Sequence, residues 1–143
     1  MKKLLLLPVL LFSTLVSAGN DLDLYDNQGD PVAYIALDDD LTIYSWDGEP
    51  GAYLKRSQNN EFDVYGFNGS HLGWFTKGML VDHDGYVACA VKNLIAAPNL
   101  PSLKSLKNLK SLKSIPEIPP IFPLLNNEFG QTNCSLLVAS GAA

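Results

Sequence analysis

The chain is poor in the residues that build chemical sites. It holds 2 histidines and 2 cysteines in 143 residues, with no Cys/His cluster at metal-ligand spacing. No Gly-x-Ser-x-Gly turn presents a serine nucleophile. Asp38-Asp39-Asp40 lacks the alternation, central glycine and closing glutamate of an EF-hand loop, and reads as a solvated connection. Past the first 18 residues no apolar run approaches the length of a membrane helix. Positive charge is scarce in the body: from Gly19 to Ala97, 13 acids face 4 bases, a net of −9. Such a surface excludes non-specific nucleic-acid binding, which needs Lys and Arg to replace counterions along phosphates. No cofactor is expected. Carboxylates are in good supply, 15 in all, but none is marked out by its context for general acid or base work.

The N-terminus has a positive start (Lys2, Lys3), an apolar run from Leu4 to Val16 and a small-residue cleavage site at Val16-Ser17-Ala18. This is the pattern of a secretory signal over residues 1–18, and the expectation is export to the periplasm or beyond. In that compartment Cys89 and Cys134 read as a candidate disulfide, closing a 45-residue loop. The other reading makes Cys89 a buried small residue.

What the chain does have is one phrase written four times. Gly29, Gly48, Gly69 and Gly85 share flanks. Five residues before them stand Leu24, Ile43, Val64 and Leu80, and four after them the small residues Ala33, Ala52, Gly73 and Cys89. Tyr25, Tyr44 and Tyr65, then Tyr34, Tyr53 and Trp74, mark the first three copies, and the fourth lacks these aromatics. Asp-Gly or Asn-Gly between apolar flanks predicts a two-residue hairpin turn of type I′. Each large aliphatic then pairs across its hairpin with the small residue, and the aromatics fall on the opposite face. A lone hairpin is marginal in water, so the four must bury one another. The reading is an all-β domain over residues 22–92 with pseudo-fourfold symmetry. The fourth copy has the look of a closing unit.

Leu24-Tyr25 with Gly29-Asp30-Pro31-Val32-Ala33-Tyr34, Ile43-Tyr44-Ser45-Trp46-Asp47-Gly48-Glu49-Pro50, and the run from Tyr65 to Phe75 resemble the four-fold beta flower proteins. Asp82-His83-Asp84-Gly85 resembles their last petal. The resemblance implies four hairpin petals around a central axis in a bacterial protein, and a tail rich in Ile, Pro and Lys after them. It implies no activity. Cys89, within Ala88-Cys89-Ala90, departs from the pattern at the small-residue slot.

The tail, residues 93–125, keeps a three-residue period from Leu100 to Leu124, with Lys104, Lys107, Lys110 and Lys113 in the next register. An α-helix cannot hold such a row on one face, whereas polyproline II, with three residues per turn, can. Three readings are open: an extended segment on the protein's own acidic surface or left mobile, a short helix over 102–114, or a basic amphipathic element on an anionic surface. The segment 126–143 is either one more strand or a frayed end pinned by Cys134.

Two function classes follow. The first is a structural or interaction module for a protein or glycan of the cell envelope. It would use Trp46 and Phe67 beside the turns if those rings face solvent, with His83 at the matching place; the competing reading folds both rings into the core. His83 between Asp82 and Asp84 could hold a cation weakly, or stand in a solvated turn. The second class is a small envelope hydrolase using unmarked carboxylates. Partner and ligand are not legible in these residues.

Overall fold

The computed structural model describes residues 19–57 and 60–143. The predicted signal segment, 1–18, lies outside them. Eight strands run in sequence order: β1 Asp21–Tyr25, β2 Pro31–Ala36, β3 Thr42–Ser45, β4 Pro50–Arg56, β5 Phe62–Gly66, β6 His71–Thr76, β7 Met79–Val81 and β8 Val87–Val91. Every neighbouring pair is antiparallel, and β8 pairs with β1 through Leu24↔Val91 and Tyr25↔Ala90. The four hairpins therefore close into a barrel, which removes the edges that an open sheet would expose. Pro31 and Pro50 each begin a strand, where the missing N–H leaves no gap in a ladder.

The register is the one the repeat dictates. Leu24 lies opposite Ala33, Ile43 opposite Ala52, Val64 opposite Gly73 and Leu80 opposite Cys89. The four side chains Leu24, Ile43, Val64 and Leu80 are wholly buried in the barrel interior with their small partners. An eight-stranded barrel is just wide enough for side chains to fill, and pairing large with small fills it without voids.

The turns differ from the expected type I′. In each, the glycine N–H donates to the backbone oxygen three residues back, as Gly29 does to Asp26 at 3.1 Å and Gly69 to Gly66 at 3.0 Å. Only the glycine of each pair has positive φ, between 83° and 88°. This is a three-residue loop, a type I turn followed by a glycine bulge. The bulge falls at the same place in all four hairpins, just after the large aliphatic. It raises the local twist, which helps so short a sheet to close. Two consecutive residues with positive φ, Lys77 and Gly78 (52° and 81°), instead join β6 to β7, between petals.

The C-terminal segment is neither strand nor frayed end. Residues Cys134–Ala139 form a short helix, α1, capped by Asn133, whose side-chain oxygen accepts from the Leu136 N–H at 3.0 Å. Asparagine is among the best residues for that position because its side chain satisfies a free helix N–H. Cys134 and Val138 face inward and join the barrel core, and Cys134 is bonded to Cys89. Both readings of Cys89 thus hold together: it is buried, and it is bridged. The helix end is admitted by absent side chains, since a Cβ on Gly51 would meet Val138 and one on Gly66 would meet Gly141.

Candidate functional site

Between β8 and α1 the chain leaves the barrel and encircles it. After a 3-10 turn at Lys92–Leu94, residues 97–126 carry no helix or strand; we call this stretch the belt. It is held by backbone hydrogen bonds to the four petal glycines. The N–H groups of Asn99, Asn108, Glu117 and Asn126 donate to the oxygens of Gly29, Gly48, Gly69 and Gly85, at 2.8, 2.9, 2.9 and 3.1 Å. Those donors are nine residues apart at each step.

The step has a geometric cause. Eight strands about 4.8 Å apart, tilted about 40°, close at a radius of ~8 Å, and one packing layer adds ~10 Å. A quarter turn at ~18 Å is ~28 Å, which nine residues cover at the ~3.1 Å rise of a threefold extended chain. The same glycines leave room for the belt: a Cβ on Gly48 would strike the backbone oxygen of Leu106, and one on Gly69 that of Ile115.

The three registers of the belt meet three environments. The register of Asn99, Asn108 and Glu117 faces the turns. The lysine register runs over the outer aromatic wall. Lys104 Nζ lies 4.4 Å from the Tyr34 ring centre and 5.0 Å from that of Trp46, and pairs with Asp21 at 3.1 Å and Asp23 at 2.6 Å. Lys107 sits over Tyr44, and Lys113 lies 4.1 Å from Tyr53. Lys110 bonds Asp39 at 2.7 Å and Lys113 bonds Asp40 at 2.8 Å. Asp39 and Asp40 are therefore anchors for the belt and not a merely solvated connection.

The Lys110 ammonium and the Tyr44 hydroxyl, both hydrogen-bonded to it, hold the Asp39 carboxyl below its usual range. Burial first, then the nearby acids Asp21, Asp23 and Asp39, push Tyr34 up to about 12. Over the fourth petal, which lacks those tyrosines, the same belt register changes to Phe122 and Leu125. These pack on the cluster of Trp74, Met79, Val81, Val87 and Ala90.

The third register points outward. Leu100, Leu103, Leu106, Leu109, Leu112, Ile115, Ile118, Ile121 and Leu124 are each more than 90% exposed. The helix considered for 102–114 is absent. The outer tyrosines stack across neighbouring petals, Tyr34 with Tyr44 at 5.5 Å and Tyr53 with Tyr65 at 6.1 Å, and the belt covers them from outside.

The residues expected to offer free contact are spread around this arrangement. Phe67 is 2% exposed, its ring tilted against Tyr53 at 5.6 Å, so it offers no open ring. Trp46 is part-buried under the belt; its indole N–H donates to the Ser102 oxygen at 3.2 Å and its edge meets Tyr34. Both rings belong to the belt's bed, because the belt covers the petal flank where they lie.

His83 is exposed, and it ends a buried chain of contacts that spacing alone did not reveal. Its Nε2 lies 2.9 Å from Nδ1 of His71, whose Nε2 is 3.0 Å from Asp63 Oδ1. A carboxylate only accepts, so His71 Nε2 carries the proton and Nδ1 accepts from the His83 Nε2–H. Burial, the largest cause, lowers the His71 pKa against the opposing pull of Asp63. The belt closes over this pair: the His71 backbone N–H donates to Glu117 Oε1 at 2.5 Å and the Tyr65 hydroxyl to the Glu117 backbone oxygen at 2.8 Å. Asp82, the other buried carboxylate, accepts from the N–H groups of Asp84 and Tyr86 and from the Thr132 hydroxyl.

Among the described residues, no group of three or more His, Cys, Asp and Glu is placed to hold a metal ion. Nor is any helix there long and apolar enough to cross a membrane.

No curated protein and no solved structure matches this sequence. A family model does, over residues 22–138, a span that takes in the barrel, the whole belt and most of α1. The chain belongs to the 4-fold beta flower protein family, which is not a known enzyme family.

Proposed function

We propose that this chain is an exported interaction module without catalysis, and that the outward row of the belt is its contact surface. One observation carries this reading: an amphipathic segment is laid down with its lysines inward and its nine aliphatic side chains in solvent. In water the opposite orientation is expected, so the medium outside the belt in the working state is apolar. At ~100 Å² for each buried aliphatic side chain, the row offers on the order of 900 Å². A typical monomer's largest apolar patch is about 300–600 Å².

The hydrolase alternative gains no comparable support. The barrel axis is filled by aliphatic side chains and the disulfide, and both buried carboxylates are committed to internal hydrogen bonds. The N-terminal pattern supports export.

The test is capture from a cell-envelope fraction by the intact chain and by a variant carrying Leu109→Ser, Leu112→Ser and Ile115→Ser. The variant should lose the partner that the intact chain retains, be it protein or glycan. Equal capture by the two would sink the reading.

A further inference from the structure

We propose that the partner of the belt is a second copy of this chain, and that barrels associate side by side, belt against belt. The inference rests on the reading of the outward row as a contact surface.

The charge around the row narrows the partner. Lys104, Lys110 and Lys113 are consumed by acids of their own barrel, and the chain carries a net charge of −5. Lys107 lies over the Tyr34 and Tyr44 rings, so all four belt lysines are engaged by the barrel, and the negative net charge opposes an anionic surface. Immersion in a bilayer fails on height: a membrane barrel needs an apolar band ~25 Å tall. Here the row is one side chain high, and the strands are 3 to 7 residues long.

The shape of the row narrows it further. Four petals divide the circle into steps of about 90° in a closed barrel. Belt residues advance nine per petal, so each three-residue step turns the outward direction by about 30°. A flat or convex partner therefore meets about three side chains at once. The belt supplies three such faces, in segments 98–106, 107–115 and 116–124, each with three aliphatic residues in the same spacing. A row with gaps of ~9 Å interlocks with an antiparallel copy of itself shifted by half a gap, because an aliphatic side chain fills such a space. That contact is self-complementary about a two-fold axis, and three places on the barrel can make it.

A single contact of about six side chains buries on the order of 600 Å², less than the ~1,200 Å² of a stable pair. Each contact is therefore weak, and association grows through repetition, with several neighbours holding one barrel. Like charge on the barrels opposes the approach and is screened by salt.

The experiment is sedimentation velocity on the chain from Gly19 to Ala143, disulfide intact, from ~1 µM to ~1 mM and at low and high salt. The expected result is a mass that rises with concentration and with salt. The variant with Leu109→Ser, Leu112→Ser and Ile115→Ser removes one of the three faces and should lower the mass reached at each concentration, with an unchanged melting temperature, because these side chains are solvent-facing. Two further triple variants place Glu or Lys at the same three positions. Each alone should show the same loss as the serine variant, and an equimolar mixture should recover the wild-type mass.

A wild-type chain that stays monomeric throughout overturns the second-copy proposal, as does association that the serine variant leaves untouched. Binding of bis-ANS separates that failure from failure of the underlying reading. A monomeric chain that binds the dye more than the serine variant does still has an apolar contact surface for another partner. Equal dye binding removes the surface itself.

Discussion

The inner and outer walls of the barrel solve the same problem in opposite ways. Inside, aliphatic side chains meet aliphatic side chains, and a covalent bridge ties α1 to β8. Outside, tyrosines and acids meet lysines, and polar bonds to the petal glycines hold the covering strand while its own aliphatics stand in solvent. The inner wall is stabilised by burial, which salt and pH barely touch. The outer wall relies on contacts that acid and salt weaken. The lesson is that the belt is the part of the molecule open to adjustment, because its attachment is polar and local.

Substitutions can pull the two walls apart. The largest effect belongs to the inside: replacing Cys89 and Cys134 together by alanine should cost about 4 kcal/mol in denaturant unfolding, for a loop of 45 residues. A loss below about 1 kcal/mol would mean that α1 holds the core without the bridge.

Next comes a paired test on glycines. Gly69→Ala places a Cβ at φ 88° and against the Ile115 backbone oxygen. Gly78→Ala places one at φ 81°, where its nearest neighbours are the side chains of Val91 and Leu94 and not backbone. The turn strain is about 1–2 kcal/mol in both. Thermal melts should show Gly69→Ala worse by a further ~1 kcal/mol, through loss of a belt hydrogen bond. Equal destabilisation would show that the belt adds nothing at that petal.

Lys104→Met should cost about 1 kcal/mol, because it removes two part-buried ion pairs and contact with two rings. Limited proteolysis should then cut the belt near residue 104 before the barrel opens. Lys113→Met should do the same more weakly, its partner Asp40 being more exposed.

The smallest effect is a pH dependence. His71 is kept below its ordinary value of 6.5 chiefly by burial. Its neutral form favours the folded state, so this stabilisation is present above about pH 6.5 and is lost as pH falls below it. Asp39 and Asp40 are held below 3.8, so their contribution is present above that value and disappears further down in acid. Chemical denaturation at pH 7.5 and pH 5 should show the first loss, and His71→Gln should flatten it. A slope unchanged by His71→Gln would place that acid sensitivity elsewhere.

The barrel was legible in the sequence because its repeat is local. One large aliphatic, one glycine and one small residue at fixed spacing set the pairing within each hairpin. Leu24 therefore lies opposite Ala33 whether the turn has two residues or three. The turn type is not legible, because an Asp-Gly or Asn-Gly pair suits both a type I′ turn and a type I turn with a glycine bulge, and only the strand twist decides.

Closure of β8 on β1, and the fate of the tail, depend on contacts more than 40 residues apart, of which local periodicity carries no trace. The belt's orientation was hidden for a further reason: hydrophobicity normally predicts the inward face, and here it marks the outward one. The histidine chain was out of reach because His71, His83 and Asp63 meet only through the register of three strands and a turn. The cap of α1 was readable in principle, since Asn133 stands just before the apolar run Leu136 to Ala139.

The nine-residue stride of the belt has a consequence for how such a chain can lengthen or shorten. Adding one residue to the belt would rotate everything after it by about 120°, turning aliphatics onto the tyrosines and lysines into solvent. Adding three would restore the facing but misplace every later Asn or Glu against its petal. A petal can thus be gained or lost only together with its nine residues of belt, although the two pieces of sequence lie far apart. Barrel and strap form one gear train, in which teeth can be added to neither wheel alone.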